Sequence, residues 1–403
     1  MHQLTRALAA VGLVLVLQAP VRSQDAPAFA MSGGKTTSTM PFDYIDNRVF
    51  VDVRLNGQGP FHFILDTGSG GVALYRSVAD RLHLNVKDAG EGSGVGEKTV
   101  RYGSTRVAKL QCGDLTFTGV AVDVFPESDS DQVFGTEPVD GIFGEDVFEH
   151  VVVKHDYVRK MLTFTLPGAY DYKGSGTIVH FGLPAQIPVV DAELDGVPGK
   201  FGVDTGARSS LLLYGPFVAG NNLVQKYDAM LQGVTGWGIG GPVRSLLARA
   251  KELAIGGVAV HDLVIRLSTQ KGGLTTTSSM AGLIGPDVLS QFDVTFDYVR
   301  SRIIFEKNAN YGRRDSYDRA GVWMGQAGKH FGVVDVIAGG PASEAGVKTG
   351  DTILAIDGVD TERLFLPDVR ERIRREAPGN TLTLLLDSQG KQRVAMITLR
   401  DLV

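Results

Sequence analysis

"FILDTGSG" (63–70) ends an apolar strand on Asp66-Thr67-Gly68, and "FGVDTGARSS" (201–210) ends another on Asp204-Thr205-Gly206, 138 positions later. Alone, an Asp-Thr-Gly is turn chemistry: Asp and Thr bond the local backbone and Gly supplies the permissive dihedrals. The second copy changes that reading because it belongs to a longer repeat. "DGIFGEDVFEHVVVKHDYVRKMLTF" (140–164) aligns with "AGLIGPDVLSQFDVTFDYVRSRIIF" (281–305) at a constant offset of 141, with Gly141 on Gly282 and Gly144 on Gly285. Between these blocks Val100, Arg101, Arg106, Leu110 and Gly113 recur as Val243, Arg244, Arg249, Leu253 and Gly256, at an offset of 143. Two copies of one lobe are expected, at 41–170 and 175–310.

Each lobe reads as mainly strand. "VFVDVRLNGQGPFHFILDTG" (49–68) alternates about a turn at Gly57. "GEGSGVGEKTVRYG" (90–103) and "GVTGWGIGGPVR" (233–244) read as glycine-rich hairpin tips. Gly236–Gly241 satisfies a G-x-G-x-x-G pattern, but Pro242 and the repeat put it in a hairpin, not at a strand-to-helix turn. A solenoid needs three or more units, so two copies indicate a bilobal β fold.

Two pseudo-symmetric lobes can bring their turns together on the axis between them. Carboxylates about 3 Å apart cannot both ionise, so such a pair shares a proton. The charged member can take a proton from water while the protonated one polarises a carbonyl. Asp66 and Asp204 are therefore the candidate catalytic pair. Thr67 and Thr205 are expected to lock the loops across the axis, with Gly68 and Gly206 letting backbone N–H groups approach the carboxylates. Gly94, Val95, Gly96, Trp237 and Gly238 are the candidate flap residues that close over a substrate and exclude water.

At these residues the chain resembles the pepsin/retropepsin superfamily of aspartic proteases, over about 41–310. Besides Asp-Thr-Gly, each lobe carries the later apolar-apolar-Gly segment ending at Gly144 or Gly285. The resemblance implies an endopeptidase with an Asp66/Asp204 dyad, no cofactor and no metal, acting on a peptide or protein substrate. A non-enzymatic peptide-binding protein on the same scaffold is the alternative. In that family the residue after the glycine often donates a hydroxyl to its own aspartate. Ser69 is expected to do so for Asp66, whereas Ala207 cannot for Asp204. That asymmetry implies that Asp66 is the ionised member and that the shared proton is held to higher pH.

From about 318 the texture changes. "GGPASEAGVKTGDTILAIDG" (339–358) resembles a PDZ domain of the bacterial protease type, which implies a mainly β bilobal fold followed by a small α/β PDZ domain at 318–403. The resemblance maps a carboxylate-binding loop to Ala320, Gly321, Val322 and Trp323, for a C-terminal peptide ligand. In "PDVRERIRREAPGN" (367–380), Val369 and Ile373 share a face and Arg370, Arg372, Arg374 and Arg375 read as a mostly solvated run. The lobes are expected to close their core without this unit.

A net charge of −5 and the absence of basic tracts exclude nucleic acid as the expected partner. The eight histidines show no metal spacing. The apolar run Ala7–Leu17, between Arg6 and Pro20-Val21-Arg22-Ser23, reads as a signal peptide at 1–23, cleaved after Ser23 or Ala30, with 24–40 as linker. An exported, periplasmic or extracellular protein with no membrane span in the mature chain is the expectation. Cys112, the single cysteine, permits no internal disulfide.

Overall fold

The computed structural model describes residues 28–127, 131–135, 139–184 and 186–403. The expected signal peptide and its Ser23 cleavage position lie outside them. The fold is mainly β. In lobe 1, nine strands from Ala28 to Phe143 form a sheet that closes by pairing Thr99–Cys112 with Leu115–Phe125. Lobe 2 repeats this with seven strands from Val189 to Ile284, closed by Val189–Leu194 on Gly241–Ile255. In both, alternate side chains of long strands fill the interior, as in Arg48–Leu55, where Val49, Val51, Val53 and Leu55 are buried while Asp52 and Arg54 face out.

The lobes share a third, six-stranded sheet that includes Val152–Asp156 and Met161–Thr165 from the first copy and Phe292–Asp297 and Arg302–Lys307 from the second. Its register exposes the pseudo-twofold axis. Val153 pairs with Phe296 and His155 with Val294, while Lys154 faces Thr295, its own repeat counterpart. His155 thus occupies a place that Phe296 fills in the other lobe. It is fully buried among Phe148, Tyr157 and Phe296. Neither ring nitrogen has a hydrogen-bond partner among the described residues, and burial pushes its pKa down to about 3.

Two expectations are corrected. The stretch 28–40, read as linker, is built into the sheets: Ala28–Met31 pairs with Leu115–Thr118, and Thr37–Pro41 with Met161–Thr165. Ala30, the other candidate cleavage position, lies inside the first of these strands. Thr37–Pro41 (TSTMP) is polar and carries little hydrophobic alternation; its β-branched threonines were the available signal.

The arginines of the helix Leu366–Arg375 are also not a uniformly solvated run. This helix belongs to the C-terminal six-stranded unit, and Arg370 and Arg374, one turn apart, are only 3% and 6% exposed. Arg374 Nη2 lies 2.7 Å from Asp287 Oδ2 and 2.8 Å from Asp315 Oδ1, both buried carboxylates. Asp287 lies in the short lobe 2 helix Pro286–Leu289 and also accepts from Asn47 Nδ2 at 2.8 Å. Arg372 and Arg375 do face solvent and pair locally with Asp357, Glu376 and Glu371. The lobes therefore do not satisfy their own buried charges.

Breaking a buried ion pair leaves an uncompensated charge. Arg374→Met should cost about 3–5 kcal/mol in urea unfolding, against about 0.5 kcal/mol or less for the exposed Arg375→Met. A loss near that of Arg375→Met would show that the lobes do not depend on this contact.

A second expectation concerns His155. Below about pH 6.5 an unfolded chain protonates this histidine while the folded one stays neutral until about 3, so stability falls as pH falls through that window. His155→Phe should flatten the decline in melting temperature between pH 7 and pH 4; an unchanged slope would assign the acid limb to other groups.

Candidate active site

Asp66 follows the strand Gln58–Leu65 and Asp204 follows Val197–Val203. Each of those strands runs parallel to a short apolar one, Gly141–Phe143 or Gly282–Ile284, whose last carbonyl takes the aspartate N–H: Asp66 N to Phe143 O at 3.0 Å and Asp204 N to Ile284 O at 2.9 Å. The repeated apolar-apolar-Gly segment is thus the brace of each loop. Gly144 and Gly285 then lie against the carbonyls of Ser69 and Ser209, where a Cβ has no room.

The threonines lock the loops reciprocally. Thr67 N donates to Thr205 Oγ1 and Thr205 N to Thr67 Oγ1, both at 3.0 Å. Each hydroxyl then donates to the opposite strand, Thr67 Oγ1 to Val203 O at 2.7 Å and Thr205 Oγ1 to Leu65 O at 2.9 Å. Both threonines are fully buried. The glycines bring the carboxylates in: a Cβ on Gly68 would stand 2.6 Å from Asp204 Cγ, and one on Gly206 even closer to Asp66. Each carboxyl group is thus pressed against the loop that carries the other, and two acids crowded together in a buried site share a proton.

The electrostatics overturn the expected asymmetry. Ser69 Oγ donates to Gly71 O at 3.1 Å, not to the Asp66 carboxylate. Asp66 Oδ1 accepts from Gly68 N at 2.7 Å, whereas Asp204 Oδ1 accepts from both Gly206 N and Ala207 N at 2.9 Å. Burial raises both proton affinities. The charge of Asp204 raises Asp66 further, while the hydrogen bond from Asp66 and the two amides partly offset burial at Asp204. The two amide donors favour the charge on Asp204 and the proton on Asp66. The N–H count decides, and only folding reveals it.

The glycine-rich hairpins meet tip to tip. Gly96 N donates to Ile239 O at 3.0 Å and Lys98 N to Gly240 O at 3.1 Å. A side chain on Gly94 or Gly96 would collide with the facing tip, and one on Gly238 would collide with Val95. Each tip also reaches the opposite lobe. Val95 packs against Val189, Tyr214, Met280 and Leu283, and Trp237 against a cluster containing Phe50, Ile64, Val133, Phe134 and Val139.

A hub beside the dyad was missed in the sequence. Ile45 pairs with Arg48 across the two-residue turn Asp46-Asn47, both with positive φ (47° and 66°), and Asp-Asn between strand residues was the legible signal. Asp46 Oδ1 accepts from Arg208 Nε at 2.6 Å and Oδ2 from Arg48 Nη1 at 3.0 Å, with Arg370 Nη1 3.7 Å away. Burial alone would raise Asp46, but the three guanidiniums outweigh it and hold the pKa at about 2.

In the C-terminal unit, the N–H groups of Ala320, Gly321 and Val322 do not stand open. They converge on Asp318 Oδ1 at 3.0, 2.6 and 3.3 Å, so an internal carboxylate occupies the expected carboxylate loop. The next strand begins one residue earlier than expected, at Val322, and Trp323 is its second residue, with its ring under Arg370 at 4.8 Å and Arg208 at 5.5 Å. Among the described residues, His330, Asp360 and Glu362 bring potential metal-binding atoms within 4.8 Å of one another at the surface, with His330 Nδ1 also 2.9 Å from Thr361 Oγ1.

Residues 51–147, including the first Asp-Thr-Gly, match the family model described as aspartyl protease, and residues 332–387 match that of the PDZ domain. The chain thus carries an aspartyl-protease-type domain followed by a PDZ domain. A carboxyl-terminal-processing protease of Synechocystis sp. is 53% identical over 45 residues, which is 11% of this chain and 10% of that protein. The crystal structure of an aspartic proteinase from Irpex lacteus is 14% identical, with a TM-score of 0.44, covering 68% of this chain and 98% of the other.

The raised proton affinity of Asp66 sets a stability test independent of activity. Its folded pKa lies above the unfolded value near 3.8, so the folded state is favoured at low pH and loses that advantage as pH rises through the folded value. Asp66→Asn cannot ionise. Its stability relative to wild type should grow as pH rises from about 4, then level off once the dyad has titrated. A difference that is flat with pH would show that Asp66 has no raised pKa.

Proposed function

We propose that the protein is an exported aspartic endopeptidase that hydrolyses peptide bonds with a water activated between Asp66 and Asp204. The observation that carries this is the buried, proton-sharing carboxyl pair held by the reciprocal Thr67/Thr205 bonds. Asp204, with two amide donors, takes a proton from the water; Asp66 donates its own to the substrate carbonyl, and the tetrahedral intermediate collapses with proton return to the leaving amine. The proton belongs to the pair throughout. The substrate chain enters between the hairpins, and its backbone replaces the Gly96–Ile239 and Lys98–Gly240 bonds. The two apolar surfaces now contacted by Trp237 and Val95 flank the dyad's loops by repeat symmetry, so apolar side chains on either side of the cut bond are the favoured class. Export rests on the Ala7–Leu17 run; no described helix is long and apolar enough to cross a membrane.

Recruitment of chain ends by the PDZ loop requires Asp318 to leave its three N–H donors, and the geometry favours a domain engaged within its own chain. The test is a diverse peptide library with and without a statine inhibitor, using wild type, Asp66→Asn and Asp204→Asn. Statine-sensitive cleavage between apolar residues is expected, with each variant folded and slower by about 10²–10⁴-fold or more. Substantial hydrolysis by either folded variant would remove the dyad assignment, and an inert wild type would favour the peptide-binding alternative.

A further inference from the structure

The groove of the PDZ unit, between the strand Val322–Ala327 and the helix Leu366–Arg375, is filled by the protein itself. Beyond Asp318 at its head, the lobe 1 turn around Val133 to Gly135 lies against it. Arg370 joins the three parts, donating from Nη1 to Val133 O and from Nη2 to Met324 O while its guanidinium faces Asp46. A buried arginine is tolerated only when paired, and its carboxylate partner sits on the lobe 1 hairpin turn.

From Asp46 the contacts lead to the second catalytic loop. Arg48, bonded to Asp46, donates from Nε to Gly206 O at 2.8 Å. That carbonyl belongs to the same planar peptide unit as the Ala207 N–H, which donates to Asp204 Oδ1 at 2.9 Å. Fixing the Gly206 carbonyl therefore fixes the amide that distinguishes Asp204 from Asp66. In lobe 1 the counterpart amide, Ser69 N, donates instead to the backbone carbonyl of Asp66 at 3.3 Å.

Building on the dyad reading above, we propose that Arg370 is a positioning residue for the active site, supplied in cis by the PDZ domain through Asp46, Arg48 and the Gly206–Ala207 peptide. The groups that face Asp204 are Asp66 from the lobe 1 loop, Arg48 from the lobe 1 hairpin and Tyr214 from lobe 2; those that face Arg370 are Asp46, Arg48, Arg208 and Asp318. Losing Arg370 leaves Asp46 two guanidiniums but removes the donor to Val133 O and Met324 O. Arg48, whose guanidinium lies 5.0 Å from the Phe134 ring, loses its fixed surroundings and the peptide plane is free to tilt.

The test compares the full chain with Arg370→Met, Arg370→Lys and, as a solvent-facing control, Arg372→Met. Arg370→Met is expected to lower kcat about tenfold or more with KM changed less than about twofold. The acid limb of its pH–rate profile should rise by roughly half a unit to one unit, because Asp204 loses an amide donor. Hydrogen exchange at residues 204–208 should accelerate in the same variant. Arg370→Lys, which keeps the charge beside Asp46, should lie between it and wild type, and Arg372→Met should match wild type. If Arg370→Met does not fold, Arg370→Lys decides by the same readouts. A folded Arg370 variant with wild-type acid limb and wild-type exchange at 204–208 overturns the proposal. Exchange needs no turnover, so an inert wild type would remove the protease reading while this comparison still decides the relay.

Discussion

Two carboxyl groups pressed together in a dry interface repel as soon as both are charged, and everything around Asp66 and Asp204 answers that constraint. Each glycine leaves so little room that the opposite carboxylate fills the space of a missing Cβ. The loops hold because Thr67 and Thr205 exchange backbone and hydroxyl bonds across the axis, so neither loop can withdraw without orphaning buried donors in both lobes. A shared proton removes the remaining repulsion. The central six-stranded sheet, with Lys154 facing Thr295 on the axis, fixes the separation at which the two barrels meet.

The same logic of buried charge ties the PDZ domain to the lobes. Asp46, Asp287 and Asp315 are buried carboxylates of the lobes and their exit segment, and arginines of the PDZ helix stand against all three. Further bonds run along the contact: Asp335 accepts from Val234 N at 2.7 Å, and Arg249 donates to Val403 O at 3.0 Å. A recruiting module on a flexible tether needs none of this. The arrangement is that of one body in which the third domain completes the charge balance of the other two, and the expectation that the lobes close without it does not hold at these residues.

The repeat made much of this legible. An Asp-Thr-Gly after an apolar strand is a local pattern, and its recurrence with "GIFG" and "GLIG" at a near-constant offset implies symmetric lobes with both turns on one axis. Periodicity also exposed the hairpins and the PDZ signature at 339–358. These features are visible because they depend on short-range backbone requirements: strand alternation, glycine where another chain comes close, and threonine where a hydroxyl must reach a facing strand.

What stayed hidden depends on partners far apart in the chain. Thr37–Pro41 becomes a strand only because Met161–Thr165 offers it an edge. Whether Ser69 turns its hydroxyl to Asp66 or to Gly71 is set by where the Gly71 carbonyl comes to rest. Arg370 and Arg372 are two positions apart and chemically identical, yet one is buried beside Asp46 and the other lies in solvent, because helix rotation and domain docking decide which face meets the lobes. The sequence by itself determined two like lobes, each offering one carboxylate, and a PDZ unit after them. Tertiary structure alone decided which carboxylate keeps the charge and what fills the PDZ groove, since a buried charge takes its state from donors that only folding brings within about 3 Å.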